Sequence, residues 1–441
     1  MIMALLQNLW WYLVLIGVMI LVHELGHYWA ARFFDVKIET FSFGFGPRLF
    51  GFRRGETDFR FSLILFGGYV KMAGEQMGDE QASDPRALTA KPRWQRLIIA
   101  FAGPAINVVL ALALLAGLFM VHYEKFPNPH SPVIGYLAPE GAAAKAGIQV
   151  GDRIVQIEEI TDPTWEQIAI RGATSPGQPL SVWVVRAGER LHMTVTPVAE
   201  EKQGIGSVGW AQESEIEVAS VLKGMDGERK GLMRGDILVS VNGQPLRSIS
   251  RLNEIENETS GAPLDLVYDR SGQQHAVTVK PVRREEGPGG PRWMIGLALQ
   301  PRVEITKLPL PQAVYESARQ NIQNTQLIIK SLEGIVQRKM SAKSLQGPIG
   351  IAQLSGEAAR EGPVSFFGLM AAVSLNLAIF NLLPIPILDG GVMLMLLVEM
   401  LMRRDLDMRV KETVVKVGFV FLMFVVMFVI YNDISKIFPP G

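Results

Sequence analysis

Residues 1–31 form an apolar run in which Glu24 is the only charged residue, and His23-Glu24-Leu25-Gly26-His27 lies inside it. On a helix, histidines four positions apart share one face and can reach a single divalent ion. The glutamate between them can take a proton from water. This is the spacing of ligands and base in a zinc metalloprotease. Ionisable groups in a membrane helix are costly and mark function, so a structural His-Glu-His face is the weaker reading. The motif predicts hydrolytic metal chemistry inside a membrane.

The chain has 441 residues, 48% of them apolar, which fits membrane segments combined with water-soluble domains. Lys plus Arg equals Asp plus Glu, at 43 each, so no global basic field argues for nucleic acid as a partner. Cysteine is absent, leaving His, Asp and Glu as the candidate metal ligands. Four segments are long and apolar enough to span: about residues 5–31, 97–121, 366–402 with internal prolines, and 414–431. No Lys or Arg precedes Arg32, and the first run is too long for a signal-peptide core, so it is expected to stay in the mature protein. Basic residues crowd the stretch from Arg32 to Arg96 and follow the third segment at Arg403, Arg404, Arg409, Lys411 and Lys416. Both stretches are therefore expected in the cytoplasm, with both termini and the region from about 123 to 364 on the other side. At about 1.5 Å per residue, His27 lies roughly 7 to 8 Å from Arg32, a shallow depth near the cytoplasmic face.

The long region repeats itself. Ala146-Gly147-Ile148-Gln149-Val150-Gly151-Asp152 aligns with Lys230-Gly231-Leu232-Met233-Arg234-Gly235-Asp236, and the two Asp are 84 positions apart. Stretches at 134–137 and 218–222 precede the motif, and alternating runs at 180–186 and 264–268 follow it, which predicts two tandem domains of one small α/β type. The motif resembles that of PDZ domains, which bind peptides by adding a strand to a sheet edge, so recognition or size exclusion of substrate is one role and rigid spacing the other. The Pro/Gly-rich stretch 283–292 reads as a loop of the second repeat. Residues 313–336 read as an amphipathic helix leading to Gly347-Pro348-Ile349-Gly350, lying on the membrane surface or serving as a plain connector.

Catalytic zinc normally takes three protein ligands and leaves a position for water. The remaining histidines, His122, His130, His192 and His275, lie at the outer end of the second segment or beyond it. The third ligand is then a carboxylate in a membrane segment, either Asp389 or Glu399. Asp389 is the better candidate because Pro384 and Pro386 open the backbone before it, whereas Glu399 reads as an interfacial charge. Asp58 to Ile64 alternates, and Gly67-Gly68-Tyr69-Val70 permits a tight approach into a short strand. This hairpin either offers an edge to unwound substrate or merely shields the metal.

Taken together, His23-Glu24-x-x-His27, Phe43-Gly44-Phe45-Gly46-Pro47, Gly67-Gly68-Tyr69-Val70-Lys71, Ala102-Gly103-Pro104-x-x-Asn107 and Asn381-x-x-Pro384-x-Pro386-x-Leu388-Asp389-Gly390 resemble the site-2 proteases, most closely the regulator-of-sigma-E type with two PDZ domains. The resemblance covers nearly the whole chain. It implies Zn²⁺ held by His23, His27 and Asp389, with Glu24 as catalytic base. It also implies that Asn381 hydrogen-bonds the substrate backbone, although capping the helix break is an alternative. Asn107 is a candidate contact to the substrate or to the metal ligands, or a helix-packing residue. Gly67, Gly68, Tyr69 and Val70 are the remaining candidates for substrate binding.

The expected fold is a polytopic α-helical membrane protein of about four transmembrane helices, with two tandem extracytoplasmic PDZ-like α/β domains and a small cytoplasmic β hairpin. The expected divisions are 1–121, 127–210, 211–302, 303–364 and 365–441. The expected setting is a bacterial inner membrane. The expected partners are lipid, single-span membrane proteins such as anti-sigma factors or remnant signal peptides, and peptides bound by the PDZ-like domains. The rival from another class is a membrane-tethered PDZ scaffold with a structural or vestigial metal site, and a metal transporter is a third possibility.

Overall fold

The computed structural model describes residues 2–75, 84–125, 132–200, 205–284, 292–337 and 346–437. The chain divides into two compact units, Met1–Tyr123 with Lys307–Lys330 and Leu345–Gly441, and Glu124–Thr306 with Ser331–Ser344. In the first unit, α1 (Ile2–Phe33) is apolar all round, as suits a helix with lipid or apolar neighbours on every side. It leads into β1 (Ile38–Arg54), β2 (Thr57–Met72) and α2 (Arg93–Val121).

The two strands fold back on each other more extensively than the alternation over 58–64 predicts. Gly67, at φ +132°, bends β2 so that Phe41 of β1 pairs with Phe59 on one side and with Val70 on the other. The outer part of β1 returns to pair with the same residues of β2, Phe50 with Phe61 and Phe52 with Phe59. Residues 68–72 therefore lie at an edge. Phe41, Val70 and Met72 anchor this ribbon on Ala31, Val36 and Ile99, whereas Leu49, Phe50, Phe52 and Leu63 at its far end are exposed.

In the second unit the repeat is a repeat of structure. The first copy has α3 (Ala142–Lys145), α4 (Trp165–Ala173) and strands Arg153–Ile157, Leu180–Arg186 and Glu189–Val195. The second has α5 (Asp226–Arg229), α6 (Ile249–Glu258) and strands Ile237–Val241, Leu264–Arg270 and Gln273–Val279. Core residues correspond at the 84-residue offset of the motif: Ile134 with Val218, Ile157 with Val241, Ile168 with Leu252 and Val195 with Val279. The first strand of each copy pairs with its last, Ile134–Leu137 with Trp210–Gln212 and Ile216–Val221 with Leu297–Pro301. Of the predicted loop 283–292, residues 285–291 lie outside the described residues, as do 127–131 at the expected start of the first copy.

The Gly-Asp motif has a structural explanation. Asp152 is buried, accepts the Gln149 amide at 2.8 Å, and takes two hydrogen bonds of 2.7 Å from Arg186. Asp236 repeats this with Met233 at 2.8 Å and with Arg270 at 2.7 and 2.8 Å. The hydrogen bond to Asp152 raises the Arg186 pKa above its ordinary value.

The chain returns to the first unit through α7 (Leu310–Val336) and continues in α8 (Pro348–Glu361), α9 (Pro363–Leu382), α10 (Asp389–Met402) and α11 (Met408–Ile437). The Gly347-Pro348-Ile349-Gly350 motif is the start of α8, where Asp433 of α11 accepts the amides of Gly347, Ile349 and Gly350 at 2.9 to 3.1 Å. Among the described residues, four helices are long and apolar enough to cross a membrane, at Leu5–Phe33, Arg93–Val121, Pro363–Leu382 and Arg409–Ser435. The expected third segment is two helices, because Pro384 and Pro386 interrupt it; α10, at about 21 Å, is too short to cross a bilayer core of about 30 Å. Glu399, expected as an interfacial charge close to the basic stretch, lies against Lys411 and Arg96. It is buried, 2.6 Å from Lys411 Nζ, and accepts the Leu406 amide at 3.0 Å.

Replacing Arg186 with Met leaves the Asp152 carboxylate buried with one backbone donor. The expected destabilisation is about 1–3 kcal/mol, because water can reach the carboxylate from the side Arg186 occupied, read as a lowered melting temperature by tryptophan fluorescence. An unchanged melting temperature would remove the pair from the support of this repeat.

Candidate metal centre

Helices α1 and α2 approach most closely at two glycines. A Cβ on Gly26 would lie 2.4 Å from the Ala102 carbonyl oxygen, so only glycine lets the two backbones meet there. Directly opposite, a Cβ on Gly103 would lie 2.3 Å from His27 Nε2 and 2.8 Å from His23 Nε2. Gly103 thereby keeps open the space beneath both imidazoles. Pro104 has no N–H for the Ala100 carbonyl and loosens this turn of α2. One residue before Ala100, the Ile99 carbonyl accepts the Nδ1–H of His27 at 2.8 Å, which fixes that ring and leaves Nε2 bare.

Asp389 comes from the first turn of α10, beyond the proline break. Glycines are required after it: a Cβ on Gly390 would lie 2.2 Å from the Leu383 carbonyl oxygen, and one on Gly391 would lie 2.3 Å from that of Ile385. The connection folds back tightly, and Ile387 in it has φ +85°, a strained value for a β-branched residue. The carboxylate is delivered onto the two histidines. Asp389 Oδ2 lies 3.0 Å from His23 Nε2, Oδ1 lies 3.4 Å from His27 Nε2, and the two Nε2 atoms are 3.2 Å apart.

These separations fit a metal ion. A tetrahedral zinc with bonds of about 2.0–2.1 Å keeps its ligand atoms about 3.3–3.4 Å apart, near the 3.2 Å between the two Nε2 atoms and the 3.0 and 3.4 Å from each Nε2 to its own Asp389 oxygen. The donor set fits as well, because two imidazole nitrogens and a carboxylate converge and together can hold a divalent cation.

A chamber of about 540 Å³ opens over this triangle, and Glu24, Gly67, Gly68, Tyr69, Val70 and Asn381 line it together with the three ligand candidates. The edge segment of the ribbon passes against Glu24, since a Cβ on Gly68 would lie 3.1 Å from its Cγ. Asn107 does not line the chamber. It is fully buried in α2 behind His23, with its amide nitrogen 3.3 Å from His23 Nδ1, while its carbonyl accepts the Ser374 hydroxyl of α9 at 2.8 Å. Sequence reasoning overlooked Gly103 as a residue of the centre; its signal was the glycine of Ala102-Gly103-Pro104. Arg96 and Glu75 also line the chamber and were not singled out beforehand.

The profile of peptidase family M50 matches residues 11–425 of the chain. A protein of Ralstonia nicotianae, named as a candidate zinc metalloprotease, is 32% identical over 457 residues, covering 96% of this chain and 97% of its own. The regulator of sigma E protease of Haemophilus influenzae is 29% identical over 456 residues, covering 99% and 100%. Among solved structures, the PDZ domain of the SdrC-like protein from Listeria monocytogenes aligns with 20% of this chain and 90% of its own, at 18% identity and a TM-score of 0.18, too low to assign a fold.

Gly103→Ala places a methyl group where the imidazoles meet. Zinc content of the purified protein, measured by elemental mass spectrometry, should fall to near zero while expression persists. Full zinc occupancy in this variant would show that Gly103 does not bound the centre.

Proposed function

The chain belongs to peptidase family M50, and on that premise we propose that it is a zinc-dependent intramembrane endopeptidase that cuts transmembrane segments of single-span proteins. One observation carries the reading: a zinc-sized triangle of His23, His27 and Asp389, built on apolar helices, lies under a chamber that also holds Glu24 and a strand edge. In this reading His23, His27 and Asp389 hold the ion. When bound, Zn²⁺ supplies a Lewis acid that eases deprotonation of water and polarises the scissile carbonyl. Glu24 takes the proton from the attacking water and passes it to the leaving nitrogen as the C–N bond breaks. Its carboxyl carries the proton between the two steps, so no second acid is needed.

A transmembrane substrate hides its carbonyls in helical hydrogen bonds, and in lipid each group freed by unwinding costs several kcal/mol unless it is paired again. The edge at residues 68–72 offers backbone donors and acceptors beside Glu24. Gly67 and Gly68 allow close approach, Tyr69 and Val70 continue the edge, and the Asn381 amide faces the same chamber. The exposed apolar end of the ribbon supports contact with lipid.

The protein sits in a bacterial inner membrane with its basic stretches in the cytoplasm and both termini opposite, as the charge distribution favours. Residues of about 127–210 and 211–302 form two PDZ-like domains on that opposite side, which select or exclude substrates. Membrane-anchored anti-sigma factors are the first substrate class to try, by likeness to the relatives named regulators of sigma E, and remnant signal peptides the second.

Three outcomes test this. Mass spectrometry should find a cut within a model transmembrane segment that a chelator abolishes and zinc restores. Glu24→Gln should lower cleavage by roughly 10²–10⁴-fold with zinc content unchanged, and undiminished cleavage would remove Glu24 as the base. Deleting residues 132–301 should permit cutting of substrates with intact outer domains; continued rejection would remove the exclusion role.

A further inference from the structure

We propose that Asn107 is the positioning residue for His23, accepting the Nδ1–H of its imidazole so that Nε2 is held bare toward the metal; this rests on His23 being a metal ligand. The two histidines are otherwise supported unequally. His27 has the Ile99 carbonyl at 2.8 Å from its Nδ1, a group that can only accept, so both its tautomer and its ring angle are determined. On His23 Nδ1 the hydrogen-bond contact is the Asn107 amide, at 3.3 Å through Nδ2. The other amide atom, Oδ1, is buried without a hydrogen-bond partner.

With Nε2 of His23 committed to the ion, Nδ1 carries the proton and is a donor. An NH₂ group facing it would set donor against donor. Oxygen and nitrogen of an asparagine amide exchange places by a half-turn about χ2, which puts Oδ1 against the Nδ1–H and makes the contact a hydrogen bond. Metal-ligating histidines commonly donate their second N–H to such an acceptor, and losing it weakens metal binding about 10–100-fold. Asn107 is well placed for the task. It is 0% exposed, so water cannot substitute for it, and Ser374 pins its own backbone carbonyl at 2.8 Å. One turn earlier on α2, Gly103 clears the space for the ion itself, so one face of α2 both opens the centre and orients a ligand.

The test is the zinc affinity of the full-length protein in detergent, by competition with a chromophoric chelator, for wild type, Asn107→Asp, Asn107→Leu, Asn107→Ala and His23→Ala. Asn107→Asp keeps an acceptor and should bind zinc within a few-fold of wild type, while Leu and Ala, which cannot accept, should bind about 10–100-fold more weakly. Melting temperatures of the zinc-free proteins accompany the measurement, and those of Leu and Ala should match wild type. A merely structural Asn107 predicts the reverse order, because a buried carboxylate between helices disturbs packing more than Leu does. Wild-type affinity in Leu and Ala, or loss in Asp equal to theirs with the fold intact, overturns the proposal. If Asp fails to accumulate, loss of affinity in Leu and Ala at unchanged zinc-free stability still supports it, and retained affinity still overturns it. Wild-type zinc affinity in His23→Ala would instead overturn the metal assignment on which the proposal rests.

Discussion

The candidate metal centre depends on how closely α1 and α2 approach. At Gly26 the backbone of α1 meets that of α2, where a methyl group would come within 2.4 Å of the Ala102 carbonyl oxygen, and at Gly103 the imidazoles of α1 lie against the backbone of α2, where a methyl group would come within 2.3 Å of His27 Nε2. The contact brings the Ile99 carbonyl and the Asn107 amide within hydrogen-bonding distance of the two imidazoles. A wider crossing would leave buried polar groups unpaired in an apolar setting, where each is costly. Small residues at the crossing are thus a condition for the polar ones.

Asp389 is placed by the opposite device, a helix that fails to continue. Pro384 and Pro386 remove donors, and residues 383–388 fold back so that α10 begins at Asp389. Gly418 of α11 lets the next helix lie against the break, since a Cβ there would sit 2.3 Å from the Pro386 ring. Buried Glu399, paired with Lys411, ties the far end of α10 to α11. The carboxylate is therefore held from both ends of its short helix. A ligand on rigid support keeps its geometry better than one on a free loop.

The ribbon of β1 and β2 lines the chamber beside the His23, His27 and Asp389 cluster. Its near half is fixed in a small apolar core with Ile99, the residue whose carbonyl orients His27, so the edge segment and His27 share one support. The two repeats, by contrast, each stand on a core of their own and on an Arg–Asp pair tying the Gly-Asp turn to a strand. Their resemblance to each other is one of buried positions, which explains why the offset between matching core residues holds without insertions from the first strand to the last hairpin.

Much of this was legible in the order of residues. Local periodicity and composition show helical spans, a His-Glu-x-x-His face, proline breaks and a duplicated motif, because each depends on neighbours within one or two turns. Asp389 could be nominated from sequence by elimination, and the structure brings it to both histidines. The folding back of β2, the burial of Glu399 and the site of Asn107 behind His23 were not legible, since they arise from segments tens to hundreds of residues apart. Sequence by itself determined which chemical groups are available and on what local elements they ride. Only the tertiary structure decided which of them meet, because the close crossing at two glycines and the fold-back at two prolines set distances that no local pattern encodes.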